Sequence, residues 1–356
     1  MQNESLPSLV STVLAINEEQ SAAYVAAQFA RRRHWAVHPT FFCALKCMDG
    51  RLNLSEILQI PIGLIKPLRS IGGRFEIYWP TFMKRLRFWI KAALNNPHPK
   101  GTYSCIFVTY HFSASDNEHL GCAGWHHDTE AAKAHAEKIS RDLREIYLDQ
   151  VIPIVTGIET DRDILILHGQ NGDVRGDELV GLSEEEILQR LRSCFPNLTE
   201  FPQIVLDDLV PFLMGNARHI ASLGDRTRDQ SVLGHNERII AVGQGFDWLA
   251  ARNRALIIND ATVDLRKPIK TAARIIENNL KNAPQDRALI FTSVPYEDLL
   301  EERIARARSI GLQEFAQEVI REEHPELWNS GRLDFLVGIT EEHSKKLTLV
   351  KAGSIK

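Results

Sequence analysis

Several things that would settle the class of this protein are missing from its sequence. There is no Cys-x-x-Cys, which makes a simple thiol redox enzyme the least favoured reading, and five cysteines suit a reducing compartment better than a disulfide framework. No run approaches the roughly eighteen apolar residues of a membrane span. The opening Met1-Gln2-Asn3-Glu4-Ser5 has no basic segment ahead of an apolar stretch, so a cytoplasmic location is expected. A positive charge excess is also lacking: the formal net charge is −4, which argues against a nucleic-acid surface. Low-complexity linkers are absent.

What is present is a 356-residue chain of ordinary soluble composition, 44% hydrophobic, and longer than the size at which a single core usually stops growing. Two α/β domains are expected. Phe41-Phe42-Cys43-Ala44-Leu45-Lys46-Cys47 is a short apolar run that ends at the turn signal Asp49-Gly50, and it reads as a buried strand delivering Cys47 at its carboxyl end. Tyr103-Ser104-Cys105-Ile106-Phe107-Val108-Thr109-Tyr110-His111 reads the same way. Two parallel strands tipped by a Cys and a His place both at the crevice where open α/β sheets bind ligands. Cys122 returns from the following loop, just ahead of the helical stretch Thr129–Ala136. Two thiolates and one imidazole make a three-ligand zinc site that keeps a fourth position for water, the arrangement of catalytic rather than structural zinc.

Asp49 and Arg51 are the expected catalytic pair beside it. His119 competes with His111 as ligand, because His119-x-x-Cys122 is itself a plausible ligand spacing. His126 and His127 are candidates for proton relay or for a solvated pair, and His235 is a candidate contribution from the second half of the chain. Cys43 and Cys105 lie inside the predicted strands and read as core thiols. Cys194 follows a helix and has no visible partner.

Cys47-x-Asp49-x-Arg51 at a strand end, the glycine turn Arg69-Ser70-Ile71-Gly72-Gly73, and a strand ending in His111 with Cys122 nearby together resemble the β-class carbonic anhydrases. The common form of that class has two residues between His and Cys. Here ten residues separate His111 from Cys122, which resembles the carboxysomal shell carbonic anhydrase branch, as do Gly234-His235-Asn236-Glu237-Arg238 and the run from Val242 to Trp248. The resemblance covers most of the chain from about Phe41 onward. It implies a β-carbonic-anhydrase-like sheet with flanking helices, zinc as cofactor, carbon dioxide and bicarbonate as substrates, and a homo-oligomer. The activity implied is carbonate dehydratase, a lyase that hydrates carbon dioxide through zinc-bound hydroxide. Asp49 would accept the hydroxide's remaining proton, and Arg51 would keep Asp49 ionised and off the metal. Members of that branch carry a long N-terminal extension that docks them to cargo. This chain has only about forty residues before the first motif strand, so carboxysome association does not follow from the resemblance. Two alternatives stay open: a non-catalytic zinc-binding scaffold of the same fold, and a hydrolase of carbon disulfide or carbonyl sulfide.

An internal repeat is expected at a spacing of roughly 180 to 195 residues. Tyr103–Thr109 pairs with Arg287–Ser293, Ile152–Ile158 with Leu333–Ile339, and the helical Arg87–Leu94 with Ala273–Leu280. The positions of Cys47, Arg51 and His111 then fall near Val242, Phe246 and Pro295, so the second copy has no metal site. The expected organisation is an N-terminal helical segment 1–38, a zinc-binding catalytic domain 39–170, and a degenerate repeat domain 171–356. The polar Asn171–Gly181 stretch is the expected boundary, with a helix starting near Ser183. The basic run Arg31-Arg32-Arg33 ends a helix expected from Leu9 that packs on its own or a neighbouring subunit.

Overall fold

The structure is a computed structural model that describes residues 8–94, 103–224, 233–249 and 252–355; Met1–Ser5, read above for a leader, lies outside them. In chain order the elements are α1 (Ser8–Ala26), α2 (Gln28–Val37), β1 (Phe41–Cys47), α3 (Leu54–Ile57), β2 (Ile65–Ser70), α4 (Pro80–Leu94), β3 (Ser104–Phe112), α5 (Asn117–Leu120), α6 (Thr129–Tyr147), β4 (Val151–Glu159), β5 (Ile164–Gly169), β6 (Gly172–Arg175), α7 (Glu184–Cys194), α8 (Gln203–Leu223), β7 (Ile239–Gly243), β8 (Ala255–Ile258), α9 (Arg266–Lys281), β9 (Ala288–Tyr296), α10 (Leu299–Glu323), α11 (Pro325–Asn329), β10 (Leu333–Glu341) and β11 (Leu347–Ser354). Short 3₁₀ turns sit at Ile71–Gly73 and Ala123–Trp125.

Two compact units result. One comprises residues 28–47 and 52–234, the other residues 1–27, 48–51 and 235–356. These lines differ from the segments expected from sequence. The polar stretch near Asn171 forms β6, which pairs with β5 and extends the first sheet instead of leaving it. The basic N-terminal stretch is two helices, not one, and α1 and α2 fall in different units.

The first unit holds a six-stranded sheet of order β2-β1-β3-β4-β5-β6. β1 is parallel to β2 and β3, β3 is parallel to β4, and β5 and β6 return antiparallel. A central parallel strand is covered on both faces and therefore reads as a continuous apolar run. β3 is such a strand, buried at every residue but Phe112. α6 begins where the Asp128 side chain accepts the Ala131 amide at 2.9 Å. Ala132, Ala136, Ile139 and Leu143, at helical spacing, bury one face of α6 in a core that includes Ile106 and Val108 of β3. α7 starts at Ser183, as expected, on a capping box closed by Glu186.

The second unit holds a five-stranded sheet of order β8-β7-β9-β10-β11 when read from the corresponding edge. The pairs β7/β8, β7/β9 and β9/β10 are parallel and β10/β11 is antiparallel, the same directions as the first five strands of the other sheet. Each sheet also has its long helix, α4 or α9, between the second and third strands in sequence. Setting Cys105 against Leu289, the registers match Phe42 with Ile239. Five residues further on, Cys47 corresponds to Gln244, two residues past Val242, while His111 corresponds to Pro295. α1 contributes Val10 and Val13 to the core of this unit, beside Trp248 and Phe291. No helix among the described residues is long and apolar enough to cross a membrane.

Candidate metal centre

β1 carries Cys47 as its last residue, and β3 carries His111 one residue before its end. Cys122 follows α5 and opens the 3₁₀ turn Ala123–Trp125. All three side chains are buried, and one donor atom from each lies within 4.8 Å of the others. Two sulfurs and one imidazole nitrogen so gathered can hold a metal ion. Parallel strand ends deliver the first two donors. The third comes from irregular chain.

That irregular chain is fastened to the glycine turn after β2. The Trp125 indole N–H donates to the Gly72 carbonyl at 2.7 Å, and the Arg74 guanidinium lies 3.8 Å over the same ring. Gly72 has φ +62°, and a Cβ there would stand 2.9 Å from Trp125 Nε1. A Cβ on Gly124 would meet the Gly72 backbone at 2.6 Å. Both glycines are therefore required by the close approach of the two segments, and at Gly72 by the left-handed backbone as well. His135 of α6 packs against the Trp125 ring at 5.0 Å, where burial first and then Arg74 lower its pKa to about 4.

His119 stands apart from the cluster. Its side chain is 77% exposed and its Nδ1 meets Asp116 at 2.8 Å, an ion pair that raises its pKa. His126 is exposed, while His127 is half-buried with its amide donating to the Cys122 carbonyl at 3.0 Å; both have positive φ, 52° and 67°. Cys43 and Cys105 are core thiols whose pKa burial pushes upward. Cys194 is buried at the end of α7, its Sγ 3.6 Å from the Asp173 carbonyl.

Asp49 and Arg51 belong to the other unit through the short segment Met48–Arg51. There Arg51 Nη2 donates to Asp49 Oδ2 at 2.7 Å and Nε to Oδ1 at 3.0 Å, while the Arg51 amide adds a third bond to Oδ1 at 2.8 Å. Both side chains are buried. The segment is held by the second half of the chain: the Met48 carbonyl accepts from Ile257 N, the Gly50 carbonyl from Asn253 N, and Gly50 N donates to Glu237 Oε1 at 3.1 Å. His235 lies beside it, Nε2 3.9 Å from Asp49 Oδ2 and Nδ1 3.1 Å from Glu237 Oε2. Burial alone would lower the His235 pKa, but Glu237 and then Asp49 raise it above its ordinary value.

A second group of donors, Asp49, His235 and Glu237, also lies within 4.8 Å of one another. The Arg51 fork is already spent on Asp49 and His235 Nδ1 meets Glu237, so the donors of this group are engaged with neighbouring side chains. Glu237 is fully buried and was not singled out from sequence, although it sits two residues after His235 in the quoted Gly-His-Asn-Glu-Arg run.

Strand order, the two strand-end donors and the Cys-x-Asp-x-Arg turn together resemble those of the β-class carbonic anhydrases. Residues 38–187, which contain Cys47, Asp49, Arg51, His111 and Cys122, match the family model described as Carboxysome Shell Carbonic Anhydrase, catalytic domain. Proteins named carboxysome shell carbonic anhydrase are similar to it over longer stretches. One from Prochlorococcus marinus (strain MIT 9313) is 24% identical over 343 residues, covering 87% of this chain and 65% of its own length. One from Hydrogenovibrio crunogenus (strain DSM 25203 / XCL-2) is 28% identical over 240 residues, covering 58% and 45%. One from Halothiobacillus neapolitanus (strain ATCC 23641 / c2) is 26% identical, covering 61% and 49%. The chain thus spans about half to two thirds of the length of these relatives.

Proposed function

We propose that this chain is a zinc-dependent carbonate dehydratase, interconverting carbon dioxide with bicarbonate and a proton, and that Cys47, His111 and Cys122 hold the metal. The observation that carries this reading is the burial of two thiols and an imidazole with their donor atoms within 4.8 Å of one another. The donor set fits zinc, which takes sulfur and imidazole nitrogen readily and prefers four ligands. When bound, zinc supplies a Lewis acid that makes a coordinated water acidic near neutral pH, the behaviour for which carbonic anhydrases are the standard example.

The remaining work falls to the chain's own side chains. Asp49, two residues beyond Cys47, would accept the remaining proton of a hydroxide at the site and so orient that oxygen's lone pair toward carbon dioxide. Arg51 spends its fork on Asp49, which makes that carboxylate unavailable as a fourth ligand. His119 is not assigned a ligand role, in keeping with its exposure and its pairing to Asp116.

The second half is, in this proposal, a metal-free copy of the first, supported by the shared strand order and directions. Its service is to complete the segment that bears Asp49 and Arg51, through Glu237, Asn253 and Ile257. Association with a carboxysome shell is an extension of the same reading, suggested by the names of the relatives.

Elemental analysis of the purified chain together with stopped-flow hydration of carbon dioxide tests the proposal. One zinc per chain with rapid hydration supports it. Zinc without hydration turns the reading to a binding scaffold, and zinc with turnover of carbon disulfide or carbonyl sulfide instead turns it to a hydrolase.

A further inference from the structure

His111 is held by the ladder of a central strand, but Cys122 returns only after a ten-residue excursion, and something must fix where that excursion leads. The start of the excursion is fastened from outside. Ser113 Oγ donates to Asp161 Oδ1 at 2.7 Å, and the Ser115 amide donates to Asp161 Oδ2 at 2.6 Å. Both oxygens of one carboxylate are thus used on residues two and four positions beyond His111. The Phe112 carbonyl accepts from the amide and the hydroxyl of Thr160, at 2.9 and 3.1 Å.

Asp161 stands in the turn joining β4 to β5, and that turn is itself rigidly made. The buried Glu159 carboxylate accepts the amides of Asp161 at 2.7 Å and Arg162 at 3.0 Å, and it also bonds the backbone of Ala114 in the excursion. At the far side of the turn the buried Asp163 is 2.7 Å from His219 Nε2. From Ser113 the restraint passes onward: Asn117 Oδ1 accepts the Ser113 amide at 3.4 Å, and Asn117 Nδ2 donates to the His127 carbonyl at 2.6 Å. The amides of Trp125 and His127 both donate to the Cys122 carbonyl at 3.0 Å.

We propose that the β4–β5 turn is the positioning element of the metal site: Asp161, backed by Glu159, sets the path of the chain between His111 and Cys122 and thereby fixes the spacing of those two donors. This rests on reading the trio as a metal centre. Bonds from N–H and O–H groups to an ionised carboxylate are short and strong, so a few of them suffice to order a short irregular segment. Burial pushes the Asp161 pKa up, but the Ser113 and Ser115 bonds outweigh it and leave the carboxyl below its ordinary value, as this role requires. Neither residue touches the reacting atoms.

The test uses the full chain with Asp161→Asn, Ser113→Ala, Ser113→Thr and the Asp161→Asn/Ser113→Ala pair. Zinc release to a chromogenic chelator, amide hydrogen exchange over residues 114–120, and thermal unfolding are measured on each. Asp161→Asn and Ser113→Ala are expected to release zinc on the order of ten- to a hundredfold faster, as outer-shell changes do, and to lose protection over 114–120, with unfolding midpoints close to that of the parent. The pair should be non-additive, because both changes break one bond, and Ser113→Thr, which keeps the hydroxyl, should restore slow release. Unchanged release and unchanged exchange in both single variants overturn the proposal. If Asp161→Asn does not fold, Ser113→Ala decides. A parent chain that binds no zinc overturns the metal reading by itself; exchange over 114–120 then judges the turn, and parental protection in the variants overturns its role.

Discussion

Arg51 Nη2 sits 2.7 Å from Asp49 Oδ2, and both side chains are buried. A buried pair of this kind is costly to break from one side, because the survivor is left as an unpaired charge. Arg51→Ala is therefore expected to lower stability by roughly 3–5 kcal/mol, and the Arg51→Ala/Asp49→Asn double variant should recover part of that loss in a denaturant melt. Asp49→Asn alone should keep its zinc and lose activity by a factor on the order of 10²–10⁴, the usual contribution of a positioned proton acceptor. Normal hydration rates in Asp49→Asn would remove the residue from the mechanism.

Replacing His111 by Ala should abolish zinc retention, whereas His119→Ala should leave most of it. Metal content by elemental analysis checks this directly. Retention by the first variant and loss by the second would transfer the ligand to His119.

Gly72→Ala places a methyl 2.9 Å from the Trp125 indole nitrogen on a backbone with φ +62°. The left-handed conformation alone costs about 1–2 kcal/mol for a residue with a Cβ, and the displaced Trp125 bond adds about 0.5–1.5 kcal/mol. Thermal unfolding should show a lower midpoint for Gly72→Ala than for the parent chain. Equal midpoints would mean that the backbone at Gly72 relaxes.

Burial raises the Glu159 pKa to about 7, partly opposed by the backbone bonds it accepts from Asp161, Arg162 and Ala114. The folded protein then binds a proton at Glu159 more tightly than the unfolded chain does. The associated stability is fully present below the unfolded pKa, near 4.5, and is lost as pH rises through about 7. Glu159→Gln removes this dependence, so its stability should change less with pH between 5 and 8 than that of the parent chain. Parallel pH profiles for the two proteins would show that Glu159 titrates normally.

Ending the chain after about residue 170 keeps Cys47, His111 and Cys122 but removes Glu237, Asn253 and Ile257, which hold Met48–Arg51. The fragment should be inactive or aggregate, and residues 171 to 356 supplied in trans should restore some hydration. A soluble, fully active fragment would deprive the second half of its proposed service.

The strands of the site were legible because central parallel strands are written as unbroken apolar runs. Phe41–Cys47 is β1 to the residue, and Tyr103–His111 is β3 displaced by one residue at each end. The placing of His111 with the two cysteines followed from the same logic, since His111 lies at a strand end whereas His119 stands exposed on α5 and pairs with Asp116. What escaped was non-local. The packing of Met48–Arg51 with Asn253 and Ile257, the bond from Gly50 to Glu237, and the carboxylate of Asp161 on Ser113 and Ser115 all depend on contacts between residues far apart in sequence, and no local period encodes them.

The packing of Met48–Arg51 also imposes an order on biosynthesis. A ribosome delivers the thiol of Cys47 and the Asp49–Arg51 turn early, yet Ile257, whose amide closes on Met48, emerges about 200 residues later, roughly 10–40 s at ordinary elongation rates. The turn that bears Asp49 and Arg51 waits for those later residues, so a nascent chain that has already folded its first sheet still holds this turn without its later partners.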